Sequence, residues 1–167
     1  MRPGRFIKEE YDKENDWAIS IVSSFLIERG YTIIDKAEDY GVDIHAHKGD
    51  KHLFIEAEVK KRYPWENRET FKFDTVSFLG RKKKWASGQG FWYFIVCREN
   101  ENIIFAHSSN IYKKDNREKI YVSTKQRRGE DLFYRLNKEE VWFAKSVGGS
   151  KYKVSDFPDG DQSPFSI

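Results

Sequence analysis

The fold of this chain depends on residues 53–60, which read LFIEAEVK, and on GVDI at residues 41–44. Apolar and ionisable side chains alternate along the longer stretch, and this period of two predicts a β-strand. Successive side chains of a strand point to opposite faces. Glu56, Glu58 and Lys60 are therefore predicted to share one face of a sheet, with the apolar residues on the other.

Three ionisable side chains in a row are costly to bury unless charged partners accompany them. Asp43 stands at the start of the preceding predicted strand and supplies a third acid. A divalent cation held by these carboxylates beside a lysine would offset the cost of burial. The alternative is an exposed edge strand on which Glu56, Glu58 and Lys60 form cross-strand ion pairs.

An aspartate followed on the next strand by Glu-x-Lys resembles the motif of the PD-(D/E)xK nuclease superfamily, whose members share a restriction-endonuclease-like core. The matching residues are Asp43, Glu58, Val59 and Lys60. Gly-Val stands where a proline often precedes the first acid, and the resemblance extends over residues 13–106. It implies an endonuclease or exonuclease that hydrolyses phosphodiester bonds in DNA, with RNA not excluded. The implied cofactor is Mg²⁺, with Mn²⁺ able to replace it.

The resemblance also implies roles for individual residues. Asp43 and Glu58 are the expected metal ligands, and the backbone carbonyl of Val59 completes the shell. Lys60 would orient the attacking water or stabilise the charge of the phosphate, and neighbouring carboxylates favour the electrostatic role because they keep it cationic. Glu56 is expected either to contact the metal or to be an exposed acid at the edge of the site.

Further candidate ligands lie outside this motif. The first helix of such nucleases often supplies another acid, and Glu14 and Asp16 are the candidates here, although helix capping explains both equally well. His45 and His47 form a His-x-His pair on the face that carries Asp43. A zinc site that includes His52, a proton-shuttle role and a solvated face are the alternatives for these histidines.

The net charge of +3 is too small to indicate a nucleic-acid-binding protein, but the positive charge is clustered in residues 60–62, 81–84 and 125–128. Residues 61–68 also mix cations with aromatic residues, which suits phosphate contacts and base stacking on single-stranded or distorted DNA. A solvated helix face and packing of the aromatic rings on the core are the alternatives. The predicted nucleic-acid contacts are Lys61, Arg62, Trp65, Arg81, Lys82 and Lys84.

The pattern of elements predicts an α/β domain with a central mixed β-sheet flanked by helices, and extra short strands at the C-terminal end. We expect one domain over residues 1–155, with loose first dozen residues and a flexible tail at 156–167. The predicted helices are 13–29, ended by Gly30, then 75–86 and 108–114. The predicted strands are 31–34, 42–46, 53–60, 91–96, 103–106, 120–123, 132–136 and 141–144, with 91–96 at the centre.

The single cysteine, Cys97, excludes an internal disulfide framework, and its apolar surroundings predict a buried, inert thiol. Because no apolar segment approaches about 20 residues, we expect a soluble cytoplasmic protein with no membrane partner. A homodimer is expected if both strands of a duplex are cut. The competing function is a catalytically silent nucleic-acid-binding or protein-interaction module on the same scaffold.

Overall fold

The computed structural model of the chain describes residues 8–34, 41–86, 88–123, 128–158 and 165. Its helices are α1 Lys8–Glu28 and α2 Ser108–Ile111, with 3-10 helices at Gly80–Trp85, Lys114–Asn116 and Lys138–Glu140. Its strands are β1 Thr32–Ile34, β2 Ile44–Lys48, β3 Lys51–Lys60, β4 Thr75–Leu79, β5 Trp92–Cys97, β6 Ile103–His107, β7 Arg117–Ser123, β8 Arg128–Asn137, β9 Trp142–Gly148 and β10 Lys151–Asp156. The predicted α/β class is therefore confirmed.

Within the described residues the strands form two sheets. The larger has seven strands in the order β1-β2-β3-β5-β6-β9-β10, and the smaller has the order β4-β8-β7. The larger sheet is mixed, as predicted, because β3 and β5 run parallel while every other pair of neighbouring strands in this sheet is antiparallel. Strand β5 is fourth of the seven, which confirms its predicted central position.

Helix α1 covers one face of the seven-stranded sheet. Ala18, Val22, Phe25 and Leu26 are fully buried, and this i, i+4, i+7, i+8 spacing gives the helix one apolar stripe. The stripe packs on β3 residues such as Ile55, which point toward the helix. The other face of the large sheet is covered by the small sheet, through a second core that is rich in aromatic residues. The fold therefore has three layers, with the large sheet in the middle.

The two ends of α1 differ in how well they were predicted. The helix begins at Lys8 rather than near residue 13, so the expectation of a loose first dozen residues is wrong from residue 8 onward; residues 1–7 lie outside the described part of the chain. The end at Gly30 is confirmed. Tyr31 N donates to Leu26 O at 3.0 Å, and the φ of Gly30 is 91°, which is the left-handed geometry that ends many helices. Among the described helices, none combines the length and apolar character needed to cross a membrane.

The predicted helix at 75–86 is wrong. Residues Thr75–Leu79 form β4 instead, and only Gly80–Trp85 turns, as a 3-10 helix. Val76 and Phe78 are buried and alternate with exposed or half-buried neighbours, which is the period of a strand. Strand β4 pairs along one edge with the antiparallel β8, and this pairing is a long-range contact that local periodicity does not reveal.

The C-terminal part contains more strand than expected. The short strands predicted at 120–123, 132–136 and 141–144 are found as the longer β7, β8 and β9, and β10 was not predicted. In the predicted flexible tail, Phe165 is 1% exposed and contacts the rings of Phe25 and Phe105, while Arg29 donates a hydrogen bond to its carbonyl. This residue belongs to the core; residues 159–164 and 166–167 lie outside the described part.

Candidate active site

The hairpin between β2 and β3 sets which acids meet. Lys48 pairs with Lys51 across a two-residue turn, and Gly49, the first turn residue, has φ 59° as a tight hairpin turn requires. The register then pairs Ile44 with Ile55. Asp43, one residue before this pair, lies beside the far end of the same hairpin, and its Oδ2 accepts a hydrogen bond from Ala57 N at 2.9 Å.

The side chains of Asp43 and Glu56 interact directly, and both lie within 4.0 Å of the same Lys82 ammonium group. Negative charge on a neighbouring carboxylate disfavours the ionised form of a carboxyl group. Glu56 is only 4% exposed. Burial, followed by the contact with Asp43, raises the pKa of Glu56 to about 8, while the charge of Lys82 acts in the opposite direction.

Lys82 lies above this acid pair. It comes from the 3-10 helix Gly80–Trp85, and its Nζ is 3.6 Å from Glu56 Oε2 and 3.9 Å from Asp43 Oδ2. Its side chain is 16% exposed, so the ammonium group is largely enclosed with the two acids. Sequence analysis predicted Lys82 only as a nucleic-acid contact and did not place it over the carboxylates.

Glu58 follows Glu56 on the same face of β3. Its Oε1 accepts a hydrogen bond from the hydroxyl of Tyr93 at 3.1 Å, and that hydroxyl in turn accepts from Leu79 N at 3.3 Å. Burial raises the pKa of Glu58, against the opposing effects of Lys82 and of the tyrosine hydrogen bond. Tyr93 thus fixes the position of an acid that borders open space. A phenol in an apolar strand needs a polar partner, which was the available sequence signal for its role.

Two cavities meet at Glu58 and Val59, which line both. The smaller, of about 210 Å³, also contains Glu14, Arg81 and Lys82. The larger, of about 480 Å³, lies between the end of β3 and the small sheet. Its cationic lining residues are Lys60, Lys61, Arg62 and Arg135. One acid, Glu58, lies at the junction, and cations line the larger opening, a distribution of charge that would attract a phosphate backbone.

The predicted motif residues are separated: Glu58, Val59 and Lys60 line the larger cavity, whereas Asp43 is not among the residues that line either cavity. Asp43 meets Glu56, whereas Lys60 faces the larger cleft, with its Nζ 5.8 Å from the centroid of the Phe73 ring. Of the helix acids, Glu14 lines the smaller cavity and pairs with Lys61 at 2.8 Å. Asp16 is exposed and is not among the residues that line either cavity. Because α1 begins at Lys8, Glu14 and Asp16 lie inside the helix, so the helix-capping explanation for both is wrong.

The predicted nucleic-acid contacts differ in their surroundings: some line the cavities, one is exposed and one is buried. Lys61, Arg62, Arg81 and Lys82 line the two cavities, and Lys84 is exposed on the 3-10 helix. Trp65 is a correction: it is 2% exposed in the second core, where it packs edge-on to another ring, so it offers no face to a ligand. Arg135 was missed because nothing local in the sequence shows that β8 closes this cleft. Residues 125–127 of the third basic run lie outside the described part.

The three histidines of the hairpin form their own group. His45 Nε2 and His52 Nδ1 are 2.8 Å apart, and His47 stacks on His52 with 5.8 Å between ring centroids. Burial, together with the charges of the two neighbouring rings, lowers the pKa of His45. The histidine rings contact one another, and His45 also stacks on Phe54 with 4.7 Å between the ring centroids. Cys97 is buried with a free thiol, as predicted.

Among the described residues, no cluster of three or more His, Cys, Asp or Glu side chains has the arrangement of a metal site. Comparisons of the chain with protein-family models, curated proteins and solved structures found no match. Its function is therefore inferred from the geometry and charge of the site.

Proposed function

We propose that this chain is a metal-dependent nuclease that hydrolyses phosphodiester bonds in DNA on a restriction-endonuclease-like core. The observation that carries the proposal is the acid pair Asp43–Glu56 under the Lys82 ammonium. Lys82 lines the smaller cavity, which shares Glu58 and Val59 with the cleft lined with cations. The order α1-β1-β2-β3 and the parallel pairing of β3 with β5 are compatible with the core that the motif suggests.

The donor atoms suit Mg²⁺. Asp43, Glu56 and Glu58 offer carboxylate oxygens only, and Mg²⁺ binds through one or two carboxylates while keeping several waters. Burial, followed by the contact with Asp43, raises the pKa of Glu56, and the charge of Lys82 only partly opposes this. A bound Mg²⁺ would supply further positive charge and lower the pKa of a coordinated water. Two carboxylates satisfy this requirement although no cluster of three is found among the described residues.

Each residue of the site has a distinct task in this proposal. Asp43 and Glu56 would hold the metal, which revises the pairing of Asp43 with Glu58 expected from the motif. Glu58, held by Tyr93, would position a water or supply a third oxygen. The ammonium of Lys82 would stabilise the negative charge that develops on the phosphate, and Lys60 would bind the strand on the side of the larger cleft.

A catalytically silent nucleic-acid-binding module is the second candidate, and one observation favours it. Lys82 already offsets part of the charge of Asp43 and Glu56, so the pair is tolerated without a metal. The cationic lining of the cleft would then serve binding alone.

The test is cleavage of plasmid, linear duplex, single-stranded and branched DNA, and of RNA, with Mg²⁺ or Mn²⁺. Asp43→Asn and Glu56→Gln should each abolish metal-dependent cleavage while leaving the circular dichroism spectrum unchanged. Glu66→Gln is the matched control, because Glu66 is an exposed acid paired with Lys145 at the surface, and it should cleave normally.

The variants also distinguish the alternative assignments. Loss of activity in Lys60→Ala with full activity in Glu56→Gln would restore the original trio and contradict the revised pair. Absence of cleavage of every substrate by the wild type, with DNA binding retained, would identify the silent module.

A further inference from the structure

The larger cleft combines a cationic rim with an apolar interior. Its cations, Lys60, Lys61, Arg62 and Arg135, belong to the end of β3, the following loop and β8. Its interior is formed by side chains that include Phe71, Val76, Ile95 and Ile104. A phosphate backbone is attracted to the rim, but nothing in a phosphate backbone benefits from the apolar interior. The occupant should therefore carry negative charge and a flat or apolar group together.

Exposed aromatic rings stand at the mouth of this cleft. Phe73 lines it and is 38% exposed, and Tyr63, 43% exposed, meets Phe73 edge-on with 5.1 Å between the ring centroids. Tyr63 has φ 58°, a left-handed conformation that is costly for a residue with a side chain. Pro64 follows it and restricts the same segment further. The rings are thus held outward instead of folding into the core.

Cations accompany these rings. Lys72 Nζ is 4.4 Å from the centroid of Tyr63 and 5.8 Å from that of Phe73, and Lys60 Nζ is also 5.8 Å from the Phe73 centroid. An aromatic platform flanked by ammonium groups is the arrangement with which proteins bind single strands, because bases stack on the ring while the charges contact the flanking phosphates.

We infer that the larger cleft is a subsite for single-stranded DNA, in which an unpaired base stacks on Phe73 and enters the apolar interior. This inference rests on the proposed nuclease function and names its substrate class: a single-stranded segment or end. The volume of about 480 Å³ lies within the range of sites that enclose a small organic group.

An intact duplex fits these features less well. Its bases are already stacked and paired, so bringing one into the cleft costs the energy of unstacking and unpairing, a few kcal/mol. A single strand avoids that cost. Discrimination between single strand and duplex therefore comes from the apolar interior of the cleft and from Phe73. The cations of the rim bind both single-stranded and duplex DNA.

The position of the cleft links binding to cleavage. Glu58 and Val59 line both this cleft and the smaller cavity that contains Lys82. A strand whose base occupies the larger cleft therefore has its adjoining phosphate beside Glu58, next to the cavity that Lys82 lines. A chain that binds a single strand preferentially in the cleft would therefore also cleave a single strand preferentially.

The experiment measures affinity by fluorescence anisotropy in EDTA, with a labelled single-stranded oligonucleotide and with the duplex of the same sequence. Because EDTA prevents cleavage, the result is independent of catalysis. Wild type should bind the single strand more tightly than the duplex. Phe73→Ala should weaken single-strand binding about 5- to 150-fold, the loss expected for one base–aromatic stack, and change duplex binding less than twofold.

Two further variants complete the test. Phe73→Leu keeps an apolar side chain but removes the ring, so it should resemble Phe73→Ala if stacking is the cause. Phe157→Ala removes another exposed aromatic side chain, which is not among those lining the cleft, and should bind as wild type does.

Equal weakening for single strand and duplex, or no weakening in Phe73→Ala, would overturn the subsite. Absence of cleavage in the presence of metal, with the strand preference intact, would instead overturn the proposed nuclease and leave the subsite standing.

Discussion

Replacing Glu56 with glutamine should change how the stability of the fold depends on pH. Below pH 4.5 this carboxyl binds a proton in both the folded and the unfolded chain. Between pH 4.5 and about 8 the folded chain keeps the proton and the unfolded chain loses it. The free energy of unfolding of the wild type therefore falls as pH rises through this window, and the stability that protonated Glu56 contributes is lost above it.

The size of the effect follows from the displacement of the pKa. A pKa of about 8 in place of 4.5, at about 1.36 kcal/mol for each pKa unit, corresponds to about 5 kcal/mol. A typical domain has only about 5–15 kcal/mol of stability, so a loss of this order is measurable. Glutamine has nearly the shape of the protonated acid and keeps an N–H donor for Asp43, but it does not titrate.

The assay is urea unfolding of wild type and Glu56→Gln, followed by tryptophan fluorescence, from pH 5 to pH 8.5. The two chains should differ little at pH 5. The variant should become more stable with rising pH, approaching about 5 kcal/mol above pH 8. Groups that do not interact with Glu56 contribute equally in both chains, so their contributions cancel in the difference. Glu66→Gln should follow the wild type throughout.

Parallel stability profiles for wild type and Glu56→Gln would refute the reasoning. They would mean that Glu56 ionises in the folded chain at the pH at which it does so when unfolded. Lys82 would then offset the effects of burial and of Asp43 on Glu56, and this argument for a further cation would disappear.

Three other results are expected. Adding Mg²⁺ at pH 7 should raise the urea midpoint of the wild type, as urea unfolding would show, and release protons, as calorimetry in two buffers would show. Asp43→Asn should show neither effect. Tyr93→Phe removes the hydroxyl that joins Glu58 to Leu79 N; it should cost about 1–3 kcal/mol in urea unfolding and lower the cleavage rate. Phe25→Ala should cost about 3–5 kcal/mol, because this fully buried ring joins α1 to the sheet, while exposed Ile27→Ala should cost little.

The elements that sequence analysis predicted well are those whose signals are local. Helix α1 carries its apolar stripe and its terminating Gly30 in adjacent positions, and β5 is recognisable by an unbroken apolar run. The prediction of a helix at 75–86 was wrong because it rested on the basic run in the second half of the segment. The first half has the period of a strand. Its partner β8 lies more than fifty residues along the chain, so no local pattern contains the contact.

The residues of the candidate site also divide into those that a local sequence pattern predicts and those that it does not. That Glu56, Glu58 and Lys60 share a face follows from strand periodicity alone, whereas Lys82, Tyr93 and Arg135 reach the site through long-range packing.

The pairing of Asp43 with Glu56 is intermediate between a local and a long-range contact. It joins two strands, but the turn that determines it can be recognised in the sequence. A two-residue Gly-Asp turn between Lys48 and Lys51 sets the register of the hairpin, and counting back from it brings Asp43 opposite Glu56 and not Glu58. A motif specifies spacing along one strand, but the turn decides which acids of two strands can hold the same ion. Lengthening this turn by one residue should therefore move Asp43 out of register and abolish metal-dependent cleavage, even though every residue of the motif is retained.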